Sequence, residues 1–181
     1  MTLIELIVVM VLIAILLAIG VPSYRSFTTD NRMAAEMDAL QGDLDYARAE
    51  AVREGRSVTV CVADSAASTS CAPAGTNTWQ NGWLVFTDIP SNQVYDASSG
   101  DTLLHTSKAF TQGDTFDSSN GVNAITFNRD GFTYLNAAAN GGQVAIILRD
   151  QAQNSGFTRC LYLSQSGMIT TTMHVRQASC I

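Results

Sequence analysis

The chain has 181 residues, 46% of them apolar and 14% charged, a balance that fits one packed domain plus an anchor and excludes intrinsic disorder. Ten Lys and Arg against sixteen Asp and Glu leave a formal net charge of -6, which argues against nucleic acid as a default partner.

From Leu3 to Val21 every residue is apolar except Glu5 and Gly20. At a rise of ~1.5 Å per residue this run nearly matches the ~30 Å hydrocarbon core of a bilayer, so it is just long enough to span one. A secretory signal peptide would show a basic start, a shorter apolar run and a small-residue cleavage site, and no Lys or Arg precedes this run. Glu5 is the anomaly. A carboxylate at the bilayer centre costs about 2.5 to 3.5 kcal/mol, somewhat less near an interface, so Glu5 needs a partner. The cation nearest to it in sequence is a terminal amine. At the other end of the run Pro22 cannot donate to the carbonyl four residues back, and Gly20 lowers helix propensity. A kink or local melting is therefore expected at Gly20 to Pro22.

Helical periodicity continues to Gly55. Met33, Met37, Leu40, Leu44, Ala47 and Ala51 recur at spacings of 4, 3, 4, 3 and 4 and form one apolar stripe, with Asp38, Asp45, Arg48 and Arg53 on the opposite face. Gly55 fits the left-handed position that ends a helix. A helix from the N-terminus to Gly55 would run ~80 Å at ~1.5 Å per residue, more than one domain can cover, so its first half must protrude. The expected organisation is residues 1-24 as an anchor helix, 25-55 as an amphipathic helix half and 56-181 as a β-rich domain.

After Arg56 the period changes to two. Val58, Val60 and Val62 alternate with Thr59 and Cys61, as in a strand with one buried face. The Ser-, Ala-, Thr- and Gly-rich stretch Ala63 to Asn81 reads as a loop. Further strands are expected at Gly82 to Asp88, Thr102 to Phe110, Val122 to Asn128, Phe132 to Asn136, Gln143 to Arg149, Phe157 to Leu163 and Met168 to Val175. Asn128-Arg129-Asp130-Gly131 signals a hairpin turn. Strands at this density predict an α+β fold in which two antiparallel sheets pack on the helix stripe.

Four cysteines, Cys61, Cys71, Cys160 and Cys180, in a chain with an export or anchor segment read as two disulfides in an oxidising compartment such as the periplasm. Of the three possible pairings the local one, Cys61 with Cys71 and Cys160 with Cys180, is expected. Zinc is the alternative, but no CxxC or HxxxH spacing supports a metal site, and His105 and His174 stand alone.

Met1-Thr2-Leu3-Ile4-Glu5-Leu6, the apolar run and Pro22 resemble the mature N-terminus of type IV pilins and of the pseudopilins of type II secretion. Tyr46-Ala47-Arg48-Ala49-Glu50-Ala51, Val58-Thr59-Val60-Cys61, Asn81-Gly82-Trp83-Leu84-Val85-Phe86-Thr87-Asp88, Phe127-Asn128-Arg129-Asp130-Gly131, Ser164-Gln165-Ser166-Gly167 and the late Cys180 are similar, in that order, to the GspH/FimT group of minor pilins. The resemblance implies a long helix packed on two sheets and a subunit built into, or capping, a helical filament. It also implies prepilin peptidase as a processing partner, methylation of Met1, and assembly through Glu5 and Met1. Before assembly the chain would be single-pass in the inner membrane with a periplasmic domain, and afterwards part of a filament. The family's usual first residue is Phe; Met1 is read as the mature first residue, with an open reading frame lacking its leader as the alternative.

No catalytic constellation and no cofactor are expected: there is no GxSxG elbow and no phosphate-cradling glycine loop. Asp114, Asp117 and Asn120 read as a solvated turn, because their spacing is not that of a calcium loop. Of Trp79 and Trp83 one is expected in the core and the other partly exposed, and Asp43 and Asp45 are expected on a solvated helix face. Some FimT proteins take up DNA through a Gly-Arg-x-Arg loop, and here the matching residues are Gly167-Met168-Ile169-Thr170. Beyond residue 56 the basic residues are Lys108, Arg129, Arg149, Arg159 and Arg176 against eight aspartates, so DNA is not an expected partner. A structural subunit is the leading class. A DNA-binding module and a membrane-anchored enzyme rank below it, and no residue pattern supports the enzyme.

Overall fold

A computed structural model describes residues 2-135, 142-173 and 180. Met1, His174 and Arg176, and the expected strand ends at Asn136 and Val175, lie outside the described residues.

Helix α1 runs from Leu3 to Glu54. Thr2 caps its start: Thr2 Oγ1 accepts from the Glu5 amide, which also donates to the Thr2 carbonyl at 3.1 Å, and Glu5 Oε2 accepts from the Thr2 amide, the two side-chain bonds of a capping box each at 3.4 Å. Gly55 ends it at φ 67°, and the amides of Gly55 and Arg56 both donate to the Ala51 carbonyl. That double return bond needs a left-handed residue, and glycine takes one without a Cβ clash. The helix is uninterrupted through Gly20 and Pro22, so the single chain shows no melting there. One lost hydrogen bond is outweighed by the regular turns on either side, since propagating an existing helix is far easier than nucleating one.

Two antiparallel sheets pack on the second half of α1. The first has the order β3-β2-β1-β5-β6, with β1 at Val58–Val62, β2 at Trp83–Thr87, β3 at Thr102–Thr106, β5 at Ala124–Phe127 and β6 at Thr133–Leu135. The second has the order β4-β7-β8-β9, with β4 at Thr115–Ser118, β7 at Gln143–Arg149, β8 at Arg159–Ser164 and β9 at Ile169–Met173. All six residues of the helix stripe are buried, and they form one core with Val58, Val60, Val85 and Ile125 of the first sheet and Val144, Ile146, Leu161 and Leu163 of the second. The turn at Asn128 to Gly131 joins β5 to β6. Gly131 sits at φ 80°, and Asn128 Oδ1 accepts from the Asp130 and Phe132 amides.

Two expectations change here. Strand β1 is buried on both faces, because loops cover its outer side as well as the helix its inner side. Cys61 packs there with Leu84, Phe86 and Ala124, and Tyr95 closes edge-on against Phe86 at a ring separation of 5.4 Å. Thr59 on the same outer face donates at 2.9 Å to Asp88, whose carboxylate also accepts the Asn92 and Gln93 amides and so folds the 88-93 loop over the strand. Strand β4 is the second change. Thr-Phe-Asp-Ser carries one large apolar side chain and sits among Asp114, Asn120 and glycines, so its composition reads as a turn, yet its backbone pairs with β7 from Thr115 to Ser118.

The structure joins Cys61 to Cys71, Cα atoms 5.6 Å apart, and Cys160 to Cys180, 5.9 Å apart. The first ties the 63-71 loop to β1, and the second brings Cys180 against β8. Mass mapping of the non-reduced protein is expected to return these two pairs. Replacing both Cys160 and Cys180 by Ser should cost about 2 to 5 kcal/mol of head stability, as removal of a native disulfide from a small exported domain does. Free thiols or crossed pairs would refute this connectivity.

Candidate assembly interface

Among the described residues the first half of α1 is a long surface that the rest of the chain leaves uncovered. Every residue from Leu3 to Thr28 is exposed, and the most apolar 18-residue window has a mean hydropathy of 3.1 with none of it buried. Side chains such as Leu3, Ile4, Leu16 and Ile19 are 70-80% exposed, which in water would be an aggregation site and which a bilayer or a bundle of like helices would cover. At its tip the capping box directs the Glu5 carboxylate back toward the first residues of the chain. Thr2 is the contributor that the sequence reading missed, although Thr-x-x-Glu ahead of an apolar run is the signature of such a box. Met1, expected to act with Glu5, lies outside the described residues.

The head grips the helix where it emerges. Asp30 accepts at 2.8 Å from Arg159 of β8, and Arg32 forms a two-pronged pair with Asp114 just before β4, Nε to Oδ2 at 2.8 Å and a terminal nitrogen to Oδ1 at 2.9 Å. Two residues apart on a helix is a rotation of ~200°, so these pairs flank Met33, the first fully buried residue of the stripe. Asp114 is not in a solvated turn as expected; its side chain is completely buried against Arg32. Glu36, one turn further on, packs beside this pair, and burial, reinforced by the neighbouring Asp114 carboxylate, raises its pKa to about 7.

Other polar residues of the helix are also engaged. Asp43 accepts from Trp83 Nε1 at 2.7 Å and lies 3.1 Å from His105 Nδ1, so Asp43 is not on a solvated face; Asp45 is exposed as expected. Both tryptophans are fully buried, against the expectation that one would be partly exposed: Trp79 Nε1 donates to the Val122 carbonyl, and such partners let an indole enter a core. Arg48 reaches the carbonyls of Gly131, Ser166 and Gly167.

Among the described residues no group of His, Cys, Asp and Glu is arranged to hold a metal ion. Three of the described arginines near the Gly167 turn and on the second sheet are committed to partners within the chain. Arg159 is paired with Asp30, Arg149 with Asp117 at 3.4 Å, and Arg48 is turned inward to backbone carbonyls beside Gly167. Counterion release needs several cations on one face, and the Gly167 turn offers Met168, Ile169 and Thr170 instead.

Comparison with known proteins agrees with this arrangement. The structure of the type IV minor pilin FimU of Pseudomonas aeruginosa matches with a TM-score of 0.62 at 20% identity, covering 86% of this chain and 99% of that one. A second crystal form of FimU gives a TM-score of 0.56 at 21% identity, covering 83% and 99%. The minor pseudopilin EpsH of the type 2 secretion system of Vibrio cholerae gives 0.50 at 10% identity, covering 77% and 95%. At these identities the likeness shows a shared fold. No curated protein matches the sequence. The profile of the family described as "Type II transport protein GspH" matches residues 36-167, from the neck of the helix to the turn after β8 and well over half of the chain, and the protein therefore belongs to the GspH family.

Proposed function

We propose that this chain is a structural subunit of a type IV pilus or a pilus-like filament, of the minor-pilin kind, assembled through its N-terminal helix with other pilin or pseudopilin subunits. The observation that carries the reading is the exposed apolar run from Leu3 to Val21 of α1, continuous with a head of the GspH family and bearing one carboxylate at its tip. Before assembly the helix is held in the inner membrane with the head in the periplasm, where Cys61–Cys71 and Cys160–Cys180 form. Prepilin peptidase prepares the N-terminus and Met1 is methylated. A pseudopilin of type II secretion is the second reading, favoured by the family's description and by the likeness to EpsH. DNA uptake has no support in the charge distribution.

Filaments sheared from cells and labelled with antibody against the head test the proposal: label on filaments or pseudopili is the expected result, and label confined to membrane fractions of filament-bearing cells overturns it. In a filament packed helices replace lipid, and we propose that α1 melts between about residues 14 and 23, where Pro22 leaves the Ala18 carbonyl without its donor and Gly20 lowers the cost of unwinding by roughly 1 kcal/mol relative to Ala. A map of the same filaments at side-chain resolution reads this out directly. Straight helix through Pro22 would reduce the proline to a kink.

A further inference from the structure

Two guanidiniums hold the neck: Arg159 is paired with Asp30, which leaves Arg32 to face both Asp114 and Glu36. Arg32 pairs with Asp114 by two bonds, Nε to Oδ2 and a terminal nitrogen to Oδ1, and Asp114 also accepts the Gln151 amide. Glu36 sits one turn along the same helix face with its Oε1 4.0 Å from Arg32 Nε, too far for a hydrogen bond, while its Oε2 is buried with no hydrogen-bond partner. Beside them, Arg32, Ala35, Glu36 and Ala39 of α1 and residues 107-112 of the β3–β4 connection line a cavity of about 420 Å³. Lys108 is the charged side chain that this connection brings, and it is exposed. A buried carboxylate oxygen without a donor is costly; the same oxygen carrying a proton becomes a donor, and the acceptor next to it is Asp114.

We propose that Glu36, Arg32 and Asp114 form a proton-linked latch that holds the β3–β4 connection and the start of β4 against the emerging helix. With the proton on, Glu36 donates to Asp114 and the three groups carry one positive and one negative charge. With it off, two carboxylates share one guanidinium inside the neck and the latch loosens. The raised pKa of Glu36, about 7, comes first from burial and then from the Asp114 charge, with Arg32 opposing, so the change falls near neutral pH rather than in the ordinary carboxylate range. The sign follows from linkage. A carboxyl whose pKa is higher folded than unfolded binds its proton more tightly in the folded state, so its stabilising contribution is complete below about 4.5 and is lost as the pH rises through about 7. Because these residues fix the exit of α1 from the head, the proton sets how firmly the head is seated on the assembly helix.

The test is the thermal unfolding midpoint of the full chain in detergent micelles, followed by near-ultraviolet circular dichroism from about pH 5.5 to about pH 8. The wild-type midpoint is expected to fall across this range, and E36Q, whose amide supplies a permanent donor, to lose most of that slope. Subtracting the E36Q curve removes the contributions of His105 and His174, which both proteins share. Infrared difference spectra of the wild type, which need no variant to fold, should show a protonated carboxyl stretch that titrates near neutral pH and is missing from E36Q. A wild-type midpoint that is flat or rises with pH, an E36Q slope equal to the wild type's, or a carboxyl stretch already lost at the acid end each overturns the latch. The last of these is the result expected if Lys108 swings in to keep Glu36 ionised.

Discussion

Glu5→Ala is expected to leave membrane insertion intact or improved while blocking incorporation of the subunit into filaments. Removing the carboxylate relieves an insertion cost of up to about 3 kcal/mol, so the variant should fractionate with membranes at least as well as the wild type. Assembly is different. Among the described residues the Glu5 carboxylate accepts from the Thr2 amide at 3.4 Å, a neutral and long contact for a charge leaving the interface region for a helix bundle. We propose that a terminal amine of a neighbouring subunit completes the pair, so that each charge offsets the desolvation of the other. Breaking a buried pair by removing one partner costs about 3 to 5 kcal/mol, which at ~1.4 kcal/mol per decade lowers incorporation by about 100-fold or more. The measurement is the ratio of variant to wild-type subunit in sheared filaments from cells expressing both, with membrane fractions as the loading control. Equal incorporation at equal membrane abundance would show that the carboxylate does not set register. Thr2→Ala separates the cap from the charge: it removes a side-chain bond worth about 0.5 to 2 kcal/mol to the helix start and should leave incorporation nearly normal.

What could be read from the sequence was what repeats. The stripe from Met33 to Ala51 is periodic and the alternation of β1 marked a strand, though not that both its faces are buried, and the glycine at Gly55 and the turn at Asn128 to Gly131 carry local backbone chemistry. The misread features are those settled by residues distant in sequence. Asp43 looks like one more helix-surface acid until β2 brings Trp83 to within 2.7 Å of it, and Asp114 looks like a turn acid until α1 presents Arg32. Strand β4 is defined by its partner β7 rather than by its own composition. The exposed apolar run was the most legible part, because it is continuous in sequence, whereas the neck depends on pairs spanning up to 129 residues, such as Arg159 with Asp30. Pro22 shows the opposite limit, a strong local signal that the single helix absorbs without a break.

Gly167→Ala is expected to be among the most destabilising single-methyl additions this head can suffer. A Cβ at Gly167 would lie 2.2 Å from the Gly131 carbonyl oxygen and 3.0 Å from Arg48 Nε, and the backbone there is at φ 77°, where an L side chain is already strained. The first of those neighbours is main chain, so it cannot rotate away. The closeness has a purpose in the fold: Arg48 of α1 donates to the Gly131 carbonyl at 3.1 Å and to the Gly167 carbonyl at 3.0 Å, fastening the β5–β6 turn of one sheet to the β8–β9 turn of the other. Thr133 adds two more bonds across the same seam, its amide to Gln165 and its hydroxyl to Ser164. Ser164-Gln165-Ser166-Gly167 is therefore a structural clasp, and only a residue without a side chain closes it. Gly75→Ala supplies the reference, since Gly75 has φ 88° but nothing within 4 Å of an added Cβ, leaving conformational strain of about 1 to 2 kcal/mol alone. Moving a main-chain carbonyl and breaking the Arg48 bonds should bring Gly167→Ala to about 3 kcal/mol or more. Denaturant unfolding of both variants, monitored by near-ultraviolet circular dichroism, compares them directly; equal costs would mean that the two turns separate freely and that Arg48 does not hold the sheets together.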